Sequence, residues 1–599
     1  MANRTLPVIP FTPDQFAAHH QCARRGWSER FRPDRVESDP ESALTQRLMG
    51  RVVRDLGRAR HPDALEVPVE ALDPQEAQQE TANLMDYDAT VLNAMFGKAY
   101  PYQVPILEPL GDDTYRITTT TLSTEPKHHT QLRLGYLAYR LLVEEGLEVS
   151  EARLLLPNKD YTLEGDTVDP DQYFRTTISR IGPQVDRDGL VLPDDVGFYA
   201  RLDDLRSRVG TSEAIEDPDV EHLSALDSLM MEVHVLVSEW EARVDPDLDP
   251  DVEMSSHCNK PNPCPLKEHC KSLLPKDHVS RLPHAHHAVK RLLAEGVTRI
   301  SQIPRGESIT KKGTGYSDRA LKVHHNDRPF IDHQSLEEDG RVLEDGFHVI
   351  DFETATAGVP FAEGLSPYEP VAFQWSLHSV TEEGLVHQEF LQIEPGEDPT
   401  FAFMEALGEA LRSDDLPILH YTSHERTIVK AAARRYPVFR GSANEFLERT
   451  VDLHRILKNG TYFKEYEGRY SLKFVGPTLL AELEAALNSG TSEHFPHLNE
   501  MPSELREQLN RLSEDAHYSD LAINNGLVAQ GKWLQAMDPD FNPDLRERIR
   551  EELLGYCRVD TLQPVLVAAA SMPPVLRAVE RSLSRTPAPD QSRARSLNL

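Results

Sequence analysis

Three observations predict an α/β protein of two or three domains. The chain runs to 599 residues, beyond the size at which a single hydrophobic core stops growing. After residue 344, short β-rich runs are interspersed with helical segments. Before it, LRLGYLAYRLLVEEG at 132–146 has helical periodicity and stops at a Gly, an ordinary C-terminal signal. Hydrophobic residues at 39% and charged residues at 27% place the chain among globular proteins. No apolar run approaches the roughly 18–20 residues of a membrane span. The N-terminus has no basic stretch followed by an apolar one, so a cytoplasmic location is the default expectation.

In chain order, 1–275 reads as one mixed α/β module with an acidic interruption near 211–253. Residues 276–343 are polar and read as a helical connector. In 344–575, FHVIDFET, PVAFQWSLH, VHQEFLQI and PILHYT are strand candidates, with the helix-like FAFMEALGEALR between the third and fourth. Residues 488–520 read as a long polar loop. Residues 576–599 read as a tail, disordered over its last fifteen or so positions.

A formal charge of −34 disfavours phosphate binding over most of the surface, because nucleic-acid affinity rests on Lys and Arg displacing counterions. A carboxylate site that holds cations inverts its local charge, however, so charge alone does not decide the substrate.

The run HVIDFETATAGVP carries the sharpest chemistry. Side chains at i and i+2 of a strand share a face, so Asp351 and Glu353 point into one site. Two adjacent carboxylates repel, and a hard divalent cation such as Mg²⁺ relieves the repulsion. Alone, a D-x-E tripeptide is ordinarily a solvated strand end. EELLGYCRVDT adds Tyr556 and Asp560 one helical turn apart on one face. Between them, Glu425 falls in the first turn of a helix beginning SHERTIVKAAARR, where the dipole favours an anion. Asp452, in TVDLHRIL, competes for the middle position and otherwise reads as a helix cap. Glu425 is preferred.

Cys258, Cys264 and Cys270 recur at equal spacing in SHCNKPNPCPLKEHC, with Cys22 far upstream. Thiolates so grouped are soft ligands for zinc or an iron–sulfur cluster. Cys557, in the Tyr556/Asp560 helix, reads as core.

D-F-E-T, the helix-start acid and Y-C-R-V-D-T, in this order, resemble the DEDD exonucleases with Tyr in the third motif. Y-E-P-V-A-F-Q-W-S-L-H, Y-S-L-K-F-V-G-P and G-L-V-A-Q-G-K-W-L resemble an uncharacterised bacterial family. That family joins a RecB-like iron–sulfur module to an RNase H-like exonuclease domain. The likeness departs at His424, where relatives carry an aromatic, and at Glu425, where other DEDD enzymes carry Asp. It implies a 3′→5′ exonuclease with two Mg²⁺ or Mn²⁺ ions held by Asp351, Glu353, Glu425 and Asp560, and with Tyr556 orienting water. It also implies a [4Fe–4S] cluster on Cys22, Cys258, Cys264 and Cys270, similar to that of the AddB subunit, with zinc as the alternative. The implied partner is a nucleic acid with a 3′ end, DNA favoured over RNA.

A PD-(D/E)XK site needs an Asp and then an acid-x-Lys pair. Pro105, Thr119 and Thr121 stand at those places, so the N-terminal module is expected to be catalytically degenerate. Glu108, Asp113 and Lys127 are the residues from which a displaced site would be built. Two rivals remain. One is an inactive nucleic-acid-binding scaffold, the other a nuclease using that displaced site.

Overall fold

Alternation in FHVIDFET sets the central strand of the C-terminal half, and the rest of that half is built around it. The structure is a computed structural model. It describes residues 12–37, 40–97, 100–111, 113–181, 196–209, 221–222, 225–241, 245–247, 249–283, 285–310, 315–517, 521–523 and 525–585. The chain divides into two compact units. One comprises Met1–Leu273 with Ala357–Glu369, the other Leu274–Thr356 with Pro370–Leu599. Both are mixed α/β.

The first unit holds a sheet whose strands lie in sequence order: β1 (Leu65–Glu66), β2 (Val91–Phe96), β3 (Tyr102–Gly111), β4 (Thr114–Thr120), β5 (Glu148–Pro157), β6 (Phe174–Arg180) and β7 (Glu221–His222). β4 and β5 are parallel. A parallel pair needs a crossover, and the helix His128–Arg140 in the predicted 132–146 segment supplies it. Leu107, Ile117, Ala152 and Leu154 form one sheet face and share a core with Leu134, Leu137, Leu229 and Val233 of the helices His128–Arg140 and Leu226–Glu241. The second of these helices lies inside the stretch expected as an acidic interruption.

The opposite face carries an alternating charge ladder. Glu108, Arg116, Glu151 and Arg180 are register partners across four strands. Arg116 pairs with Glu108 at 3.3 Å and with Glu151 at 2.5 Å, and Arg180 pairs with Glu151 at 3.0 Å. Thr118 donates to Glu108 at 3.1 Å. Glu108 is therefore committed to protein partners. Asp113 sits in the exposed β3–β4 turn, and Lys127 precedes the crossover helix.

In the second unit a two-stranded ribbon pairs β8 (Phe330–Ile331) with β14 (Thr461–Tyr462). The main sheet has the order β11-β10-β9-β12-β13. Its strands are β9 (Phe347–Thr356), β10 (Pro370–Thr381), β11 (Gly384–Leu391), β12 (Ile418–His420) and β13 (Thr450–Asp452). β9 is antiparallel to β10 and parallel to β12, which is parallel to β13. Alternate β9 side chains enter different cores. Ile350 and Phe352 pack with Phe403, Leu407 and Val429. Phe347 and Val349 pack with Leu562, Val565 and Leu566 of the long helix Pro543–Ser571.

That second core reaches further than the sequence suggested. Val279, Leu292, Ile300, Ala320 and Leu321, from the stretch expected as a connector, belong to it. So do Leu498, Leu505 and Leu509. The expected loop 488–520 instead contains the helix Ser503–Glu514. The helix Pro573–Leu583 likewise extends into the expected tail and buries Val575, Leu576, Val579 and Leu583. The disorder expected at the end of the chain falls on 586–599, outside the described residues. Among the described residues, no helix is long and apolar enough to cross a membrane.

Leu483, fully buried on the helix Leu472–Ser489, belongs to the core shared with the long helix. Leu483→Ala should cost about 2–5 kcal/mol in denaturant unfolding. Amide exchange should rise over 472–489 and 543–571, and exchange confined to β2–β5 would contradict this core assignment.

Candidate metal centre

Register places the first two acids. In β9, Asp351 lies opposite Ser376 and Glu353 opposite Gln374 of β10. The strand continues to Thr356, so neither acid is a frayed end. Glu353 is 7% exposed. The long helix crosses this face and brings Asp560 to them. Ligand oxygens of Asp351, Glu353 and Asp560 all lie within 4.8 Å of one another, the one such group among the described His, Cys, Asp and Glu residues.

Burial is the largest cause holding the Asp351 and Glu353 carboxyls well above the ordinary carboxylate range. The charges of Asp560 and Glu425 add to it, and for Asp351 that of Glu353 as well. Three hard oxygen donors crowded and desolvated in this way suit a divalent cation, which neutralises the repulsion without needing a proton. Lys473, at the start of the helix Leu472–Ser489, partly offsets Glu353. It also lines a cavity of about 640 Å³ of mixed charge, with Arg328 and Lys464 alongside Asp327, Glu482 and Glu493. Gly526 opens the helix Gly526–Ala536 beside Glu353, with its Cβ position 3.5 Å from Oε2.

Three alternating polar side chains of β10 fix the long helix against the sheet. Gln374 Nε2 donates to the Leu553 carbonyl at 2.9 Å. Ser376 Oγ and His378 Nδ1 are each hydrogen-bonded to Thr561 Oγ1 at 2.8 Å, and His387 Nε2 meets Ser376 Oγ at 2.9 Å. Gln374, Ser376, His378 and Thr561 are all buried. Burial, with His387 and Arg558 nearby, keeps the His378 imidazole well below its ordinary pKa, so it stays neutral. Thr561 adjoins Asp560, which makes this clamp the element that sets the third acid. Pro564 lacks the N–H that would occupy the Asp560 carbonyl four residues back.

Tyr556 is buried one turn before Asp560, as the spacing predicts. Cys557 is core, as expected, but its Sγ also lies 3.6 Å from Asp351 Oδ2. Burial and the surrounding acids push its thiol up.

Glu425 lies in the first turn of the helix His424–Arg435, 2% exposed. Burial pushes its carboxyl up to about 8, with Asp452 and Asp560 adding to the effect. It stands in electrostatic contact with the three-acid group but outside its 4.8 Å cluster. Asp452 caps the helix Leu453–Gly460, accepting from Arg455 N at 3.0 Å.

The four cysteines also meet. Cys22, Cys258, Cys264 and Cys270 line one small pocket. Cys22 lies between the helices Pro13–Gln21 and Ala23–Phe31, which are stitched to the distant loop. Gln21 Nε2 donates to the carbonyls of His257 and Asn262 at 2.7 and 2.8 Å, and Trp27 Nε1 donates to Asp245 O at 2.8 Å. Burial raises the Cys264 thiol.

Residues 348–471 match a domain of unknown function (DUF2779). The matched stretch takes in Asp351, Glu353, Glu425 and Asp452, and stops short of Lys473, Tyr556 and Asp560. No curated protein and no solved structure matches the chain.

Sequence reasoning missed Lys473 and the clamp. A signal for the clamp was present: Gln374, Ser376 and His378 fall at i, i+2 and i+4 of an apolar strand, and buried polar groups need partners.

Two predictions follow from this geometry. Thr561→Val should cost about 1–3 kcal/mol in urea unfolding because it orphans the buried His378 Nδ1, and Thr561→Ser should restore most of the loss; equal losses would show that the hydroxyl is not what matters. A carboxyl raised in the fold contributes stability that is complete below its ordinary value of 4.5 and is lost as pH rises through about 8. Cation-free protein should therefore weaken between about pH 5 and pH 9, and Glu425→Gln should reduce that slope.

Proposed function

We propose that the chain is a metal-dependent 3′→5′ exonuclease acting on single-stranded or frayed 3′ ends, DNA in preference to RNA. One observation carries the reading: Asp351 and Glu353, and Asp560 about two hundred residues further along the chain, offer ligand oxygens within 4.8 Å of one another. The five-stranded mixed sheet that bears Asp351 and Glu353 agrees with an RNase H-like domain. Mg²⁺ or Mn²⁺ would be held by these three acids with Glu425 alongside, supplying charge neutralisation and polarisation of the phosphodiester. Tyr556 would orient the attacking water. As its oxygen bonds to phosphorus, the bond from phosphorus to the 3′ oxygen breaks, that oxygen takes a proton, and a nucleoside monophosphate leaves. Lys473, whose charge acts on Glu353, would give an anionic strand one cationic contact beside the acids in an otherwise acidic protein.

The N-terminal unit, on this reading, is a RecB-like fold without its own chemistry, since Glu108 is bound to Arg116 and Thr118. Its cysteines would hold a [4Fe–4S] cluster. Zinc fits less well: Zn–S bonds of about 2.3 Å keep thiolates under about 4 Å apart, and no three of these sulfurs lie within 4.8 Å of one another.

The test is purified protein with 3′- and 5′-labelled strands and Mg²⁺ or Mn²⁺. Stepwise 3′ trimming is expected, abolished by Asp351→Asn and retained in a Glu108→Ala/Lys127→Ala double variant. Activity surviving Asp351→Asn would move the chemistry to the N-terminal unit, and no trimming at all would favour a binding protein. Anaerobically prepared protein should be brown and lose its colour in Cys264→Ser; a colourless, zinc-containing preparation would refute the cluster.

A further inference from the structure

Next to the three-acid group lies a pair of buried groups that face each other without a hydrogen bond. His420 ends β12 and Glu425 begins the following helix, each 2% exposed. His420 Nδ1 and Glu425 Oε2 lie 3.6 Å apart, and neither atom has a hydrogen-bond partner. A buried donor or acceptor is ordinarily satisfied, so two orphans aimed at one another call for an explanation. A shared proton does not provide it, because N–H···O bonds close at about 2.7–3.2 Å. One cation does. Ligand bonds of about 2.0–2.2 Å to an imidazole nitrogen and a carboxylate oxygen span such a gap at an angle near 120°.

The surroundings favour positive charge. Asp452 is the register partner of His420 across the parallel β12–β13 pair, so both side chains leave the same face. Its carboxylate acts on both His420 and Glu425, and Asp560 acts on Glu425. Asp452 also caps a helix through one oxygen, which leaves its charge in place beside the pair.

We propose that His420 Nδ1 and Glu425 Oε2 hold a divalent cation, adjacent to the one assigned to Asp351, Glu353 and Asp560. Imidazole ligation would bias this position from Mg²⁺ toward Mn²⁺ and later transition ions. The proposal rests on the metal-centre reading above and adds to it a nitrogen ligand, from a residue that no carboxylate motif includes. It also gives separate places to the two acids that compete in the sequence: Glu425 binds, and Asp452 supports from a helix cap.

The experiment uses the full chain and Mn²⁺ alone. Pulsed electron paramagnetic resonance on the wild type should show the hyperfine coupling of a directly bound imidazole nitrogen. Titration should count two ions. His420→Asn should abolish the coupling and weaken one ion by at least about tenfold. The isosteric Glu425→Gln should weaken the same ion, and His424→Asn should leave the coupling in place. No nitrogen coupling in the wild type, or coupling that survives His420→Asn or disappears in His424→Asn, overturns the assignment. The wild-type spectrum needs no variant to fold. Trimming without nitrogen coupling would sink this site alone, whereas nitrogen-bound Mn²⁺ without trimming would sink the exonuclease reading and keep the site.

Discussion

The packing of carboxylates from β9 and the long helix into one desolvated space is the constraint on which the second unit depends. Like charges at that distance, Glu353 buried and Asp351 and Asp560 partly so, would push the helix away from the sheet. The fold resists with a row of neutral hydrogen bonds. Gln374, Ser376 and His378 hold the helix at Leu553 and Thr561, to either side of Tyr556 and Asp560. Buried polar groups are costly when only half satisfied, and here the clamp couples the fit of the helix to the placement of the acids. Stability and site geometry therefore rest on the same few bonds.

The two faces of β9 divide the work. Ile350 and Phe352 anchor the strand in one core and Phe347 and Val349 in the other. Asp351 and Glu353 continue the Phe347/Val349 face, so the acids are fixed by the same pleat that fixes the core. A one-residue slip would send both to the wrong side. Such a strand is a rigid support, which a site needing sub-ångström placement requires.

Across the sheet of the first unit, Glu108 and Glu151 are interleaved with Arg116 and Arg180 in cross-strand register. Opposite charges directly across a sheet stabilise it, and carboxylates paired in this way are no longer free to hold an ion. The converging cysteines lie outside this ladder, positioned by the two N-terminal helices and the backbone carbonyls that Gln21 and Trp27 reach.

By itself the sequence determined what local periodicity encodes. Two-residue alternation put Asp351 and Glu353 on one face, the helical repeat put Tyr556 over Asp560, and residue type marked the acids and thiols as candidate ligands. Long-range meetings were decided by tertiary structure. Residues 276–343 and 488–520 look polar because amphipathic helices show only a narrow apolar stripe, yet they complete the core. Burial of Glu425 against helix capping by Asp452, and the placement of His420 and Lys473 at the strand and helix ends beside the acids, appear only in the fold. No spacing along the chain carries that information, because it is set by how sheet and helix pack in three dimensions.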